Sequence, residues 1–222
     1  MHVQWYGQSA FRLSSSDATV AIDPFADMSG LTSRGMRFEY PPIEGLTADL
    51  LLITHEHSDH NGVQAVGGDP AILRSMAGTP DSPIGQVTAV ASEHDEAAGT
   101  ERGANTIFAF ELDGLRVCHF GDFGQRELRD EQARAIGRVD LLFMPVGGGF
   151  TVGARQAAGV VERLSPRWVV PMHYRTSRID FLEPADAFLG LMPRAEHLPS
   201  PVFDTEALPA EDGPLAVVPA AP

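Results

Sequence analysis

The sequence predicts an α/β domain, and three observations carry that prediction. Apolar runs of strand length recur along the chain, among them "DLLLIT" at 49–54 and "VDLLFMPV" at 139–146. From residue 49 onward such runs alternate with stretches of helical character, which is the order of an α/β fold rather than of a helical bundle. The 222 residues, 43% of them hydrophobic, suffice for one substantial core and not for two comfortable ones.

Taken in order, "HVQWY" and "AFRLS" around Gly7 read as strands, followed by "TVAI" ending at Asp23-Pro24. Residues 26–48 read as loop. The continuous apolar run at 49–54 is a strand buried on both faces. "VTAVA" (87–91), "TIFAFEL" (106–112) and "LRVCHF" (115–120) are further strands, the last two joined by Asp113-Gly114, a strong hairpin signal. Residues 125–136 read as a helix and 139–146 as a strand. A clearer helix covers 154–164, where Ala157, Val160, Val161 and Leu164 fall at i, i+3, i+4 and i+7. "RWVVPM" (167–172) is a late strand, and a short helix is expected from 184 with Pro184 in its first turn. We read 1–198 as one domain. Residues 199–222 form a Pro/Ala-rich extension, packed on that domain or trailing from it, with "LAVV" (215–218) as an edge strand.

Composition removes several function classes. All 16 basic residues are arginine, which excludes a Schiff-base lysine and the nucleotide-binding loop that ends Gly-Lys-Ser/Thr. With 30 acidic residues the net charge is −14, so most of the surface repels nucleic acid, and no nucleic-acid partner is expected. No apolar run is long enough to cross a bilayer, and "MHVQWYGQSAF" has no basic stretch followed by an apolar one. Cys118 is the only cysteine, which fits a reducing compartment; the expectation is a cytoplasmic protein without a membrane partner.

Polar residues of ligand type follow four of the strands. His55, His57, Asp59 and His60 lie in "THEHSDHNG" just past 49–54; His94 follows 87–91, Asp122 follows 115–120, and His173 follows 167–172. In α/β sheets that carboxyl rim is where ligands bind. A loop histidine is ordinarily solvated and inert, yet five of the chain's eight histidines fall in this set, three of them within six residues. Neutral imidazole with carboxylate suits Zn²⁺, or Mn²⁺ or Fe²⁺. His-x-His in extended chain puts both rings on one side. A helix starting near His60 would turn Asp59 and His60 to the other, so that one segment could serve two ions. His2, His119 and His197 read as structural or surface residues.

"THEHSDHNG" resembles the His-x-His-x-Asp-His signature of the metallo-β-lactamase superfamily, and His94, Asp122 and His173 match its later ligand positions in order. "RGANTIFAF", "GDFG" and "MPVGGGFT" are similar to segments of its stand-alone hydrolases near the L-ascorbate phosphate lactonase branch. The resemblance implies a four-layer αββα sandwich. It also implies two divalent ions, one on His55, His57 and His94, the other on Asp59, His60 and His173, with Asp122 between them. The implied activity is hydrolysis of an ester, lactone or phosphoester of a small molecule by a metal-bridging hydroxide, with Asp59 as the proton-handling residue. The resemblance to lactonases also suggests a homo-oligomer. The zinc β-lactamases offer a cysteine where Asp122 stands, and the flavo-di-iron branch a glutamate where His57 stands. A nuclease of the same superfamily is disfavoured by charge, and a non-catalytic metal-binding protein by the complete ligand set. Candidates for contacting substrate are Gly148 and Gly149, through main-chain N–H groups, and Arg102 and Arg175. Asp23 is a candidate support for the site through a hydrogen bond to a ligand.

Overall fold

A computed structural model of the chain describes residues 1–209 and 213–222. Two twisted sheets form its centre. The first has six strands in the order Val202–Asp204, His2–Gly7, Ala10–Ser14, Thr19–Ile22, Leu50–Ile53, Ala71–Arg74. The second has seven, in the order Thr88–Glu93, Ala104–Leu112, Leu115–His119, Leu141–Pro145, Trp168–Met172, Leu215–Val218, Arg194–His197.

The alternation of side chains along each strand decides what each face covers. Val20, Ile22, Leu50 and Leu52 of the first sheet share one buried cluster with Phe108, Phe110, Leu141 and Phe143 of the second, so the sheets pack face to face. Phe11 meets Phe143 across the gap at a ring-centroid distance of 4.4 Å. Helices Asp130–Ile136, Ala154–Leu164 and Asp186–Leu189 add Ile136, Ala157, Val160, Val161 and Phe188 to the same cluster. On its other face the first sheet presents Ala21, Leu51 and Ile53, covered by Phe25, Tyr40, Ile43, Ile179 and Leu182. This outer layer is mostly irregular chain with two short helical turns, Ser29–Thr32 and the 3₁₀ turn Val63–Ala65. The αββα sandwich expected of the family is therefore present, thin on one side. Among the described residues no helix is long and apolar enough to cross a membrane.

Four local expectations need correction. The helix read at 125–136 begins only at Asp130, because Gln125 is buried in a loop, its amide donating to the Glu127 carbonyl (2.8 Å) and to Gln132 Oε1 (2.8 Å). Gln132 Oε1 also accepts from the Arg129 N–H at 3.0 Å, which fixes the helix start. Pro184 lies just outside the helix Asp186–Leu189, whose cap is Ala185. "LAVV" is an interior strand, between Trp168–Met172 and Arg194–His197. Finally, no helix starts at His60. The chain makes one turn there, with the N–H groups of His60 and Asn61 both donating to the His57 carbonyl (2.9 and 3.0 Å).

Strand direction sets the rim. Leu115–His119, Leu141–Pro145 and Trp168–Met172 run parallel, and two antiparallel steps bring Thr88–Glu93 back to the same direction. In the first sheet Thr19–Ile22 and Leu50–Ile53 are parallel. The segments carrying Asp23, His55–His60, His94, Asp122 and His173 thus all leave their strands at carboxyl ends.

Candidate metal centre

Two groups of donors assemble on that rim: His55, His57 and His94, and beside them Asp59, His60, Asp122 and His173, the ligand atoms within each group lying within 4.8 Å of one another. Asp122 sits between the groups. Its Oδ2 is 3.1 Å from His94 Nε2, 3.2 Å from His173 Nε2 and 3.9 Å from His55 Nε2, while its Oδ1 is 3.0 Å from His60 Nε2. His57 is exposed and Asp59 part-exposed, whereas the other five are buried, so the cluster opens to solvent on one side.

Backbone geometry holds each donor. Asn105 Oδ1 accepts the Asp122 N–H at 3.0 Å, and the Asn105 amide donates to Ser92 Oγ and the Phe120 carbonyl, both at 2.8 Å. Gly124 lies against His94, where a Cβ would be 2.3 Å from the His94 carbonyl carbon and oxygen. The histidine loop is tied down by Glu56, which accepts from Arg74 and from Ser75 Oγ (2.6 Å) on the edge strand of the first sheet and its exit.

Asp23 is fully buried at φ +45° and serves both groups. Its Oδ2 accepts from His60 Nδ1–H at 2.9 Å and from the Thr54 hydroxyl at 2.7 Å, and its Oδ1 accepts the Thr54 N–H at 2.8 Å. Because the Thr54 proton points at Asp23, His55 Nδ1–H donates to Thr54 Oγ1 at 3.0 Å. His55 Nε2 is then the lone pair facing the cluster, and His60 presents Nε2 in the same way.

The electrostatics follow from crowding. Burial pushes His55 down, helped by His60 and its other imidazole neighbours, and burial with His94 lowers His57. Burial alone would lower His60, but Asp122, Asp59 and Asp23 outweigh it and hold its pKa well above the ordinary value. Burial alone would raise Asp122, yet His173, His60 and His94 hold it well below the usual carboxylate range. His60 Nε2, Asp122 Oδ1, His94 Nδ1 and His173 Nδ1 are buried without a hydrogen bond, although the first two are at ion-pair distance. The Nε2 atoms of His55, His60, His94 and His173 converging on the Asp122 carboxylate fit a divalent cation.

The substrate candidates separate. A cavity of about 470 Å³ beside His94 is lined by Arg102, Gly149, Phe150 and Gln156, among others. Arg102 lies over the Phe150 ring at 4.4 Å. The loop that carries it is organised by Asp95, whose carboxylate accepts N–H bonds from Ala97, Gly99, Glu101 and Arg102 at 2.8–3.1 Å. The Gly148 N–H donates to the Val152 carbonyl at 3.2 Å, and Arg175 Nε–H to the Leu182 carbonyl at 2.6 Å. Only Gly149 keeps a main-chain N–H unpaired among the described residues of that glycine run.

His119 is structural, as its sequence position suggested. It is fully buried, donates from Nε2 to the Ser9 carbonyl at 3.1 Å and accepts the Gly121 N–H on Nδ1 at 3.1 Å. The acceptor role of Nδ1 requires the neutral ring, and burial lowers the pKa to about 4. The unfolded chain therefore takes up the proton first as pH falls. The stability that this residue contributes is complete above pH ~6.5 and is lost between there and pH ~4, an effect of about 3 kcal/mol. Urea unfolding of the metal-free protein at pH ~7 and pH ~4.5 should show a steeper loss for the wild type than for His119→Gln. Equal losses would remove the argument.

Gln8, Thr54 and Asn105 contact or orient cluster residues and were not singled out from sequence. For Asn105 a signal existed, a lone amide opening the apolar strand "NTIFAF". For Gln8 and Thr54 there was none.

Residues 2–173 match a family model described as a beta-lactamase superfamily domain. A metal-dependent hydrolase of Thermococcus onnurineus is 34% identical over 200 residues, covering 78% of this chain and 84% of that protein. One of Thermococcus kodakarensis is 32% identical with the same coverage. Among solved structures, a Thermotoga maritima protein assigned as a Zn-dependent hydrolase of the metallo-beta-lactamase superfamily is similar with a TM-score of 0.78. It is 28% identical, over 99% of each chain.

Proposed function

The chain belongs to the metallo-β-lactamase superfamily and is a metal-dependent hydrolase, and from that premise we propose that it holds two divalent ions, Zn²⁺ by preference, and cleaves an ester, lactone or phosphoester of a small molecule. His55, His57 and His94 would hold one ion, and Asp59, His60 and His173 the other, with Asp122 ligating both. The observation that carries this reading is the placement of Asp122, whose two carboxylate oxygens face imidazoles of both groups at 3.0–3.9 Å. Paired divalent ions supply Lewis acidity and an activated water at neutral pH.

The chain's own residues do the remainder. Asp59, at the solvent-facing edge, holds the proton given up in the attack and returns it to the leaving oxygen. Asp23 keeps His55 and His60 in the tautomers that face the ions. In the cavity beside His94, Arg102 stacked on Phe150 meets an anionic group of the substrate, and the Gly149 N–H meets an oxygen of the scissile group.

The test is a hydrolysis panel of lactones, phosphodiesters, thioesters, β-lactams and short RNA with metal-loaded protein. One ester class should be turned over, and Asp59→Ala, which keeps the first ion, should lower kcat for it by about 10²- to 10⁴-fold. Turnover that survives undiminished in Asp59→Ala, or that appears only with RNA, would overturn the reading.

A further inference from the structure

Gln8 stands at the tip of the hairpin between His2–Gly7 and Ala10–Ser14, far in sequence from every ligand. Its backbone is at φ +51°, a conformation that Gly, Asn or Asp adopt more readily than Gln. A conformation of this kind persists where surrounding contacts over-determine it. Gln8 is 1% exposed, and its Nε2–H donates to Asp59 Oδ2 at 3.0 Å. Its main-chain carbonyl accepts the His173 N–H at 3.3 Å and the Trp5 indole N–H at 3.1 Å. His173 is itself at φ +51°. The amide orientation is fixed by chemistry: reversed, Oε1 would face the Asp59 carboxylate, oxygen against oxygen. In the orientation present, Oε1 is buried without a partner, so the amide is aligned for Asp59 and not for its own satisfaction.

Asp59 follows a strand of the first sheet and His173 a strand of the second, and among the described residues Gln8 is the one that hydrogen-bonds to both. We propose that Gln8 is the positioning residue of the second ion, its side chain aiming the Asp59 carboxylate and its carbonyl fixing the main chain of His173. This rests on the two-ion reading above. It gives the second ion a support separate from Asp23, whose hydrogen bonds serve His60 and, through Thr54, His55. Loss of the Gln8 amide then affects one ion and leaves the other.

The experiment is Zn²⁺ binding by chelator competition, with thermal melting of the metal-free protein alongside. Wild type should take two ions per chain. Two single-ion backgrounds separate the sites: His57→Ala keeps the second, Asp59→Ala the first. Adding Gln8→Met should weaken the ion in His57→Ala by about 10- to 100-fold and leave the ion in Asp59→Ala within about twofold. Gln8→Asn suits the positive φ but is a methylene too short to reach Asp59. It should therefore raise the metal-free melting temperature while weakening the second ion as methionine does, a separation that a purely structural residue would not give. Equal weakening in both backgrounds with a lowered metal-free melt, or no weakening in either, overturns the role of Gln8 alone. One ion per wild-type chain overturns the two-ion reading and this inference with it.

Discussion

Replacing Asp122 by alanine is expected to lower kcat/KM by about 10³-fold or more, about 4 kcal/mol of transition-state stabilisation, and to reduce bound metal at the same time. The reason is geometric. Among the described residues Asp122 is the one carboxylate within 4 Å of imidazoles from both groups: its Oδ2 faces His55, His94 and His173, and its Oδ1 faces His60. Its neighbours would be left as buried imidazoles without the carboxylate that balances them, which raises the electrostatic cost of placing a cation there. Asp122→Asn is the informative companion. It keeps the shape and the main-chain hydrogen bond to Asn105 Oδ1 but loses the charge and one acceptor oxygen. Metal content by elemental analysis together with kcat/KM checks the expectation. A fully active Asp122→Asn carrying two ions would sink it.

The second large effect is expected at Asp23. Alanine there removes the acceptor of the His60 and Thr54 bonds in a fully buried site. Breaking a buried charged pair from one side costs about 3–5 kcal/mol of stability. Metal affinity should fall by about 10- to 100-fold at each of the two proposed positions, because His60 is oriented directly and His55 through Thr54. Asp23→Asn can still accept the Thr54 N–H but presents an N–H to His60, so it should regain much of the stability and little of the affinity. Urea unfolding and zinc competition read the two effects separately. Unchanged zinc affinity in Asp23→Ala would contradict the orienting role.

How much of this was legible beforehand depended on whether a signal was local. The strand at 49–54 announced itself because both its faces are buried and no polar residue interrupts it. The helix Ala154–Leu164 matched residue for residue because its apolar stripe is continuous. The strands Ala71–Arg74 and Arg194–His197 left no trace, since edge strands of four largely exposed residues need no apolar pattern. Missing "RAEH" is also why "LAVV" read as an edge: its second neighbour carries almost no hydrophobicity. The cluster was legible because histidine and aspartate are scarce enough for their spacing to stand out. Gln8 and Thr54 were not, because an amide or hydroxyl gains its role only when a distant segment folds against it. The expected helix at His60 failed for a similar reason. Gly62 must pass within contact of the Phe25 carbonyl, so the chain turns back towards Pro24 instead of winding onward.

The interior position of Leu215–Val218 bears on the order in which the molecule can be made. His173, the final donor in chain order, is synthesised some forty residues before the strand that completes the sheet behind it, and Arg194–His197 pairs with nothing else in that sheet. The first sheet likewise closes its edge at His2–Gly7 only with Val202–Asp204. A nascent chain thus carries every proposed ligand while neither sheet is finished, and pairings this distant in sequence form slowly. Vectorial synthesis would leave the donors exposed to free cations before the scaffold is closed, and any selection by the geometry of the site awaits the fold that forms after translation has passed residue 218.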